Sequence, residues 1–158
     1  LFGGEDLYGL DMCIELMNSL RQKDVALVFV VASLKRGGDR FERYRKMISE
    51  HGLSNDMLLI HGENLSYVRL IIESDIVIRA TNTDGDSLTV REALHLGKKV
   101  VASDVIGRPS GAVSFKNRDQ LDLNRVVLSV MPPAAVENSD PVEESALAET
   151  YLDFYGCR

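Results

Sequence analysis

The chain has 158 residues, room for one domain with its own core. Eighteen Lys and Arg stand against 24 Asp and Glu, so the net charge is -6 and the whole-molecule field does not gather nucleic acid. No apolar run approaches the ~18–20 residues a membrane-crossing helix needs, and the start lacks the basic-then-apolar pattern of a secretory leader.

The chain opens on Leu1, Phe2, Gly3 and Gly4 without a methionine. Two apolar residues and two glycines look like the tail of a strand and the turn after it, as in a fragment cut just inside a domain whose partner lies upstream. Residues 8–22 carry apolar side chains at 10, 13, 14, 17 and 20, a helical stripe. Residues 26–32, ALVFVVA, form a continuous apolar run and predict a strand buried on both faces. Residues 39–51 predict a charged helix with Phe41, Tyr44 and Ile48 on one side and Gly52 as its C-terminal cap. A strand follows at 57–60. A helix at 66–74 turns Val68, Ile71 and Ile72 inward. Another strand covers 76–78, and residues 87–96 form a helix closed by Gly97. Strands at 99–102 and 112–115 and a helix over 118–131 complete the alternation.

Strand and helix alternate throughout, which predicts a doubly wound parallel α/β sheet with helices on both faces. Ligands of such sheets sit beyond the carboxyl ends of the strands. The domain is expected to end at 131. Residues 132–143, with three prolines and several acids, read as a linker. Residues 144–158 read as a terminal helix with Leu147, Tyr151 and Phe154 on its apolar side. Of the two cysteines, Cys13 falls on an apolar stripe and Cys157 is next to last. Neither has metal-ligand spacing, and a reducing compartment, the cytosol, fits them best.

The stretch TNTDGDSLTVREAL, residues 81–94, places Asp84, Asp86 and Glu92 around a helix start. Asp86 is a good N-cap type. The amides of Ser87, Leu88 and Thr89 would then be donors for an anion. Val90, Ala93, Leu94 and Gly97 share the face turned to the sheet, with Leu88, Glu92 and His95 opposite. Carboxylates cannot face a phosphate without repulsion, but they accept hydrogen bonds from hydroxyls. A ligand with a phosphate centre and sugars at its ends satisfies both, and a sugar nucleotide is one. The same residues also have a purely structural use: Asp-Gly is a turn dipeptide, and acids near a helix start stabilise its dipole by ~0.3–1 kcal/mol.

TNTDGDSLTVREALHLGKKVVASD resembles the donor-binding signature of retaining glycosyltransferases with two Rossmann-like domains, the GT-B architecture, and among them family four. The pattern is an acid, seven residues, a glutamate and Ala, then Gly-Lys and an apolar strand ending in Ala-Ser-Asp. Here these are Asp84, Glu92, Ala93, Gly97, Lys98 and the strand into Asp104. GGEDLYGLDMCIELMNSL and LLIHGENLSYVRLIIESDIVI are similar to earlier parts of the same domain, so the resemblance spans roughly residues 1–130. It implies a Rossmann-like donor domain, one half of a GT-B fold, that binds a nucleoside-diphosphate sugar for transfer to an acceptor hydroxyl in polysaccharide or glycoconjugate synthesis. The acceptor, a sugar or lipid-linked glycan, would meet a missing N-terminal domain, and the fragment alone would be inactive. No metal is implied. A lipid-linked acceptor is compatible with a cytoplasmic protein peripheral to the membrane's inner face.

By the same resemblance Glu92 holds the nucleotide ribose and Asp84 contacts the donor sugar. The backbone of Gly85, Asp86, Ser87, Leu88 and Thr89 lies against sugar and phosphate. The loop with His61 and Gly62 holds the base, and Gly3 and Gly4 approach the diphosphate. The sequence departs from the pattern in three places. The first acid is the shorter Asp84. The family's Arg and Lys for the diphosphate correspond to Gly3 and Tyr8. The usual proline before the motif is Ala80. Lys35, Arg36 and Arg40 are candidate substitutes for the missing cations, with Arg79 and Arg108 behind them.

Two other classes remain open from the residues. Asp84 and Asp86 could serve a metal-dependent phosphate-handling enzyme. The alternation alone also permits a non-catalytic Rossmann-like binding module, or a transferase-like domain without activity. His51, His61 and His95 are spread along the chain and form no site. Tyr8, Tyr44 and Tyr67 are expected to be packing residues.

Overall fold

The computed structural model describes residues 7–22, 29–33, 39–61 and 66–131. The Gly3–Gly4 turn, the Lys35 and Arg36 loop, Gly62, the linker, the terminal helix and Cys157 lie outside them, as do the side chains of Arg40 and His61. The described elements are α1 (Leu10–Arg21), β1 (Phe29–Ser33), α2 (Asp39–Glu50), β2 (Met57–His61), α3 (Tyr67–Glu73), β3 (Ile76–Arg79), α4 (Leu88–His95), β4 (Lys99–Ser103), β5 (Ala112–Phe115) and α5 (Gln120–Val130).

All the strand pairs are parallel. Among the described residues they form a two-stranded sheet, β1–β2, and a three-stranded sheet in the order β3–β4–β5. The pleat divides β3 and β4 between two cores. Ile76, Ile78, Val101 and Phe115 face a large cluster with α1, α5, Ile48 and Leu53. Val77, Val100 and Ala112 face a smaller one with Ile71, Val90 and Ala93. Helices therefore cover both faces of a Rossmann-like parallel sheet, as the alternation predicts.

The stripe of α1 is broader than expected. Met12 and Leu16 are buried beside Leu10, Cys13, Ile14, Met17 and Leu20. The physical reason is that α1 is flanked by both α2 and α5. Burial pushes the Cys13 thiol up to about 12, with the nearby Asp11 charge adding to it, so the thiol stays protonated. Gly52 and Gly97 close α2 and α4 with φ of 67° and 70°. In α3, by contrast, Val68 is exposed rather than inward. The helix has only seven residues, and it is Ile71 in its second half that reaches the core.

Gly9 shows how tightly the start of α1 meets the sheet. Its φ is 63°, and a Cβ there would overlap the carbonyl of Ala80 at the exit of β3. The Asn82 amide donates to Leu7 O at 3.1 Å alongside. The segment before α1 and the loop after β3 thus form one continuous surface.

Candidate functional site

The loop from β3 to α4 carries Asp84, Gly85, Asp86 and Ser87. Ser87, not Asp86, is the N-cap of α4. Its backbone is extended and its side chain makes no capping hydrogen bond. Asp86 is drawn instead to Arg91, 2.6 Å away on the exposed surface, so its carboxylate is turned from the helix amides. The first-turn amides are therefore uncapped by either residue, the donor arrangement expected of an anion-holding turn.

Farther along α4, Val90 and Ala93 are buried against the sheet, while Leu88 and His95 are exposed. Glu92 is half-buried and has no side-chain partner among the described residues. Thr89 is half-buried and Gly85 exposed, with open space where a Cβ would stand.

Asp84 has a surrounding that its spacing did not foretell. Arg79 donates to it from Nε at 3.2 Å and from Nη2 at 3.1 Å. Arg108 donates from Nη1 at 2.8 Å, and the Thr81 hydroxyl at 3.2 Å. The Asp84 side chain is 7% exposed and that of Arg108 3%. Burial works against the charge, but the hydrogen bonds from Arg79 and Arg108 outweigh it and hold the carboxyl at about 2. Arg108 is fixed in turn by Ser103, through Nε to the carbonyl at 2.8 Å and Nη2 to Oγ at 3.2 Å. The Ser103 hydroxyl donates to Thr81 O. The ends of β3 and β4 are thereby tied beneath α4.

Tyr8 is not a packing residue. It is 59% exposed, and its ring centroid lies 5.7 Å from the guanidinium carbon of Arg79. An open cleft of about 250 Å³ lies between the α4 entry and the loop after β4, lined by Gly85, Asp86, Ser87, Arg91, Ile106 and Arg108 among others. Asp84 and Glu92 are not part of that lining. Two guanidiniums on Asp84 and one on Asp86 repel a cation, and no metal-ligand cluster occurs among the described residues.

Arg79 and Arg108 are the residues whose weight the sequence understated. The available signal was Arg79 itself, a charge at the end of the apolar strand DIVIR. Arg108 stands 24 positions from its carboxylate partner, beyond the reach of local spacing.

No curated protein matches the chain. Solved structures do. A glycosyltransferase from Rickettsia africae superposes with a TM-score of 0.69 at 17% identity, over 78% of this chain and 34% of its own. Anabaena Alr3699/HepE in complex with UDP gives 0.65 at 14%, over 78% and 35%. WaaG, a glycosyltransferase involved in lipopolysaccharide biosynthesis, gives 0.65 at 20%, over 78% and 34%. At these identities the likeness establishes the fold, a Rossmann-like parallel sheet with flanking helices as found in GT-B glycosyltransferases. The chain spans about a third of the length of each. The family model described as "Glycosyl transferases group 1" matches residues 5–119, through the whole β3–α4–β4 region. The chain belongs to the glycosyl transferases group 1 family.

Proposed function

We propose that this chain is the donor-binding domain of a retaining glycosyltransferase of family four, acting in polysaccharide or glycoconjugate synthesis. It binds a nucleoside-diphosphate sugar. The bond from the sugar's anomeric carbon to the diphosphate breaks, and an acceptor hydroxyl oxygen bonds to the same face, its proton leaving with the departing phosphate. The acceptor, a sugar or a lipid-linked glycan, docks on a further domain of the longer protein, and the isolated chain binds donor without turnover. The protein is cytoplasmic, and the longer chain lies against the membrane's inner face. Metal is not required.

The observation that carries this reading is Glu92, a half-buried carboxylate one turn into α4 with no protein partner among the described residues. A ribose offers two adjacent hydroxyls to such an acceptor. The uncapped α4 entry is the place for the diphosphate, through the backbone of Gly85, Asp86, Ser87, Leu88 and Thr89. His61 and Gly62 belong to the base loop, and Gly3 and Gly4 to the approach from the first loop. The solved complexes of Anabaena Alr3699/HepE with UDP and with UDP-glucose make UDP the first nucleotide to try.

The test is calorimetric titration with UDP, GDP and ADP, with and without magnesium. Magnesium-independent binding of one nucleotide, weakened by Glu92→Ala, is the expected result. Binding that needs magnesium, or that ignores Glu92→Ala in a folded variant, overturns the assignment.

A further inference from the structure

Both oxygens of the Asp84 carboxylate are engaged by protein donors. Its Oδ2 accepts from Arg79 Nε, Arg108 Nη1 and the Thr81 hydroxyl, and its Oδ1 from Arg79 Nη2. The cluster of two guanidiniums and one carboxylate keeps a net positive charge. Arg108 cannot present that charge, because its side chain is 3% exposed and its remaining bonds go to Ser103.

Arg79 is built differently. Its side chain is 26% exposed. Asp84 holds Nε and Nη2, while Nη1 has no protein acceptor among the described residues. The Tyr8 ring lies over the guanidinium. The fork is thus clamped along one edge and open along the other. It stands at the carboxyl end of β3, where parallel sheets take their ligands. A guanidinium fixed in this way recognises phosphate without first losing side-chain freedom.

We infer that Arg79 is an anion-binding residue whose open guanidinium edge receives the diphosphate of the donor, with Asp84 and Arg108 as the positioning residues that aim it. The identity of the anion rests on the donor-domain reading; the anion site itself does not. Asp84 accordingly acts on the anion through Arg79, whose guanidinium it fixes by Nε and Nη2.

The experiment titrates the chain with inorganic pyrophosphate, uridine and UDP at low ionic strength, for the wild type, Arg79→Gln and Glu92→Ala. Arg79→Gln is expected to weaken pyrophosphate and UDP at least tenfold and leave uridine unchanged. Glu92→Ala is expected to weaken uridine and UDP and spare pyrophosphate. Equal pyrophosphate affinity in wild type and Arg79→Gln, or none in the wild type, overturns the anion site and leaves the donor reading to UDP and Glu92. Pyrophosphate binding that depends on Arg79, with UDP no tighter and insensitive to Glu92, keeps the anion site and overturns the donor reading. Should Arg79→Gln fail to fold, the wild type carries the test. The Arg79 Nε–H resonance should move in proportion to bound pyrophosphate, and a resonance that stays still at saturation overturns the proposal.

Discussion

Glu92 and Asp84 are eight positions apart and behave as opposites. Among the described residues Glu92 has no side-chain partner, and it is half-buried, so on the proposed reading its removal disturbs the ligand more than the fold. Glu92→Ala should weaken nucleotide binding by ~1–3 kcal/mol, the scale of a lost hydrogen bond to a charged group, with little change in melting temperature. Calorimetry and thermal unfolding of the same variant separate the two effects. Arg108 should do the reverse. Arg108→Met leaves the enclosed Asp84 with Arg79 as its one remaining cation, a loss on the order of 3 kcal/mol in stability. Denaturant unfolding reads this, and a variant within 0.5 kcal/mol of wild type, about the size of a neutral surface change, shows the carboxylate to be better hydrated than its 7% exposure suggests. Spacing in the sequence was enough to mark Asp84 and Glu92 as a pair. It was blind to the difference between them, because that difference is made by Arg79 at the end of β3 together with Arg108, a residue brought in by the loop after a different strand.

Among the elements, α1 and α5 carry the larger core. Leu123 is fully buried between them and the sheet, so Leu123→Ala should cost ~2–5 kcal/mol. The entry to α5 is capped by Asp119, which accepts from the Asp122 amide at 3.1 Å. Asp119→Ala should cost ~0.5–2 kcal/mol, visible as a shift in the urea midpoint without a change in slope. Apolar periodicity made every described helix and strand legible, since a stripe of period 3.6 or a run of four to five apolar residues is a local signal. The ends were less so. Strands β2, β3 and β4 each run one residue past the expected limit, onto His61, Arg79 and Ser103. Polar residues ending a strand look like loop until their partners are known. The N-cap of α4 moved from Asp86 to Ser87 for a similar reason: a capping propensity competes with an ion pair to Arg91 that only the helix geometry creates.

For the molecule as a whole, pH acts with opposite sign at Asp84 and at His51, with Asp11 and Asp122 shifted downward in the same sense as Asp84. The Asp84 carboxyl is held at about 2, below its ordinary value. Its contribution to stability is complete above the unfolded value near 4 and is lost as pH falls toward 2. His51 is shifted upward, first by its hydrogen bond to Met47 O at 2.8 Å and then by Glu15. Its contribution is complete below the unfolded value near 6.5 and fades as pH rises through the higher folded value. The melting temperature should therefore peak on the mildly acidic side of neutrality. His51→Gln should flatten the alkaline limb and leave the acid limb unchanged, and thermal scans from pH 3 to 9 check both. No helix among the described residues is long and apolar enough to cross a membrane.

The cluster at the ends of β3 and β4 has a consequence for how this chain can change over generations. Within it, the enclosed Asp84 and Arg108 form a single heritable unit. An Asp84 lost alone strands two cations, and an Arg108 lost alone leaves the enclosed Asp84 with Arg79 as its one cation. Either step passes through an intermediate less stable than both its parent and its descendant. Asp84 and Arg108 should therefore persist together or be replaced together, and a chain that has exchanged one should show the other exchanged as well.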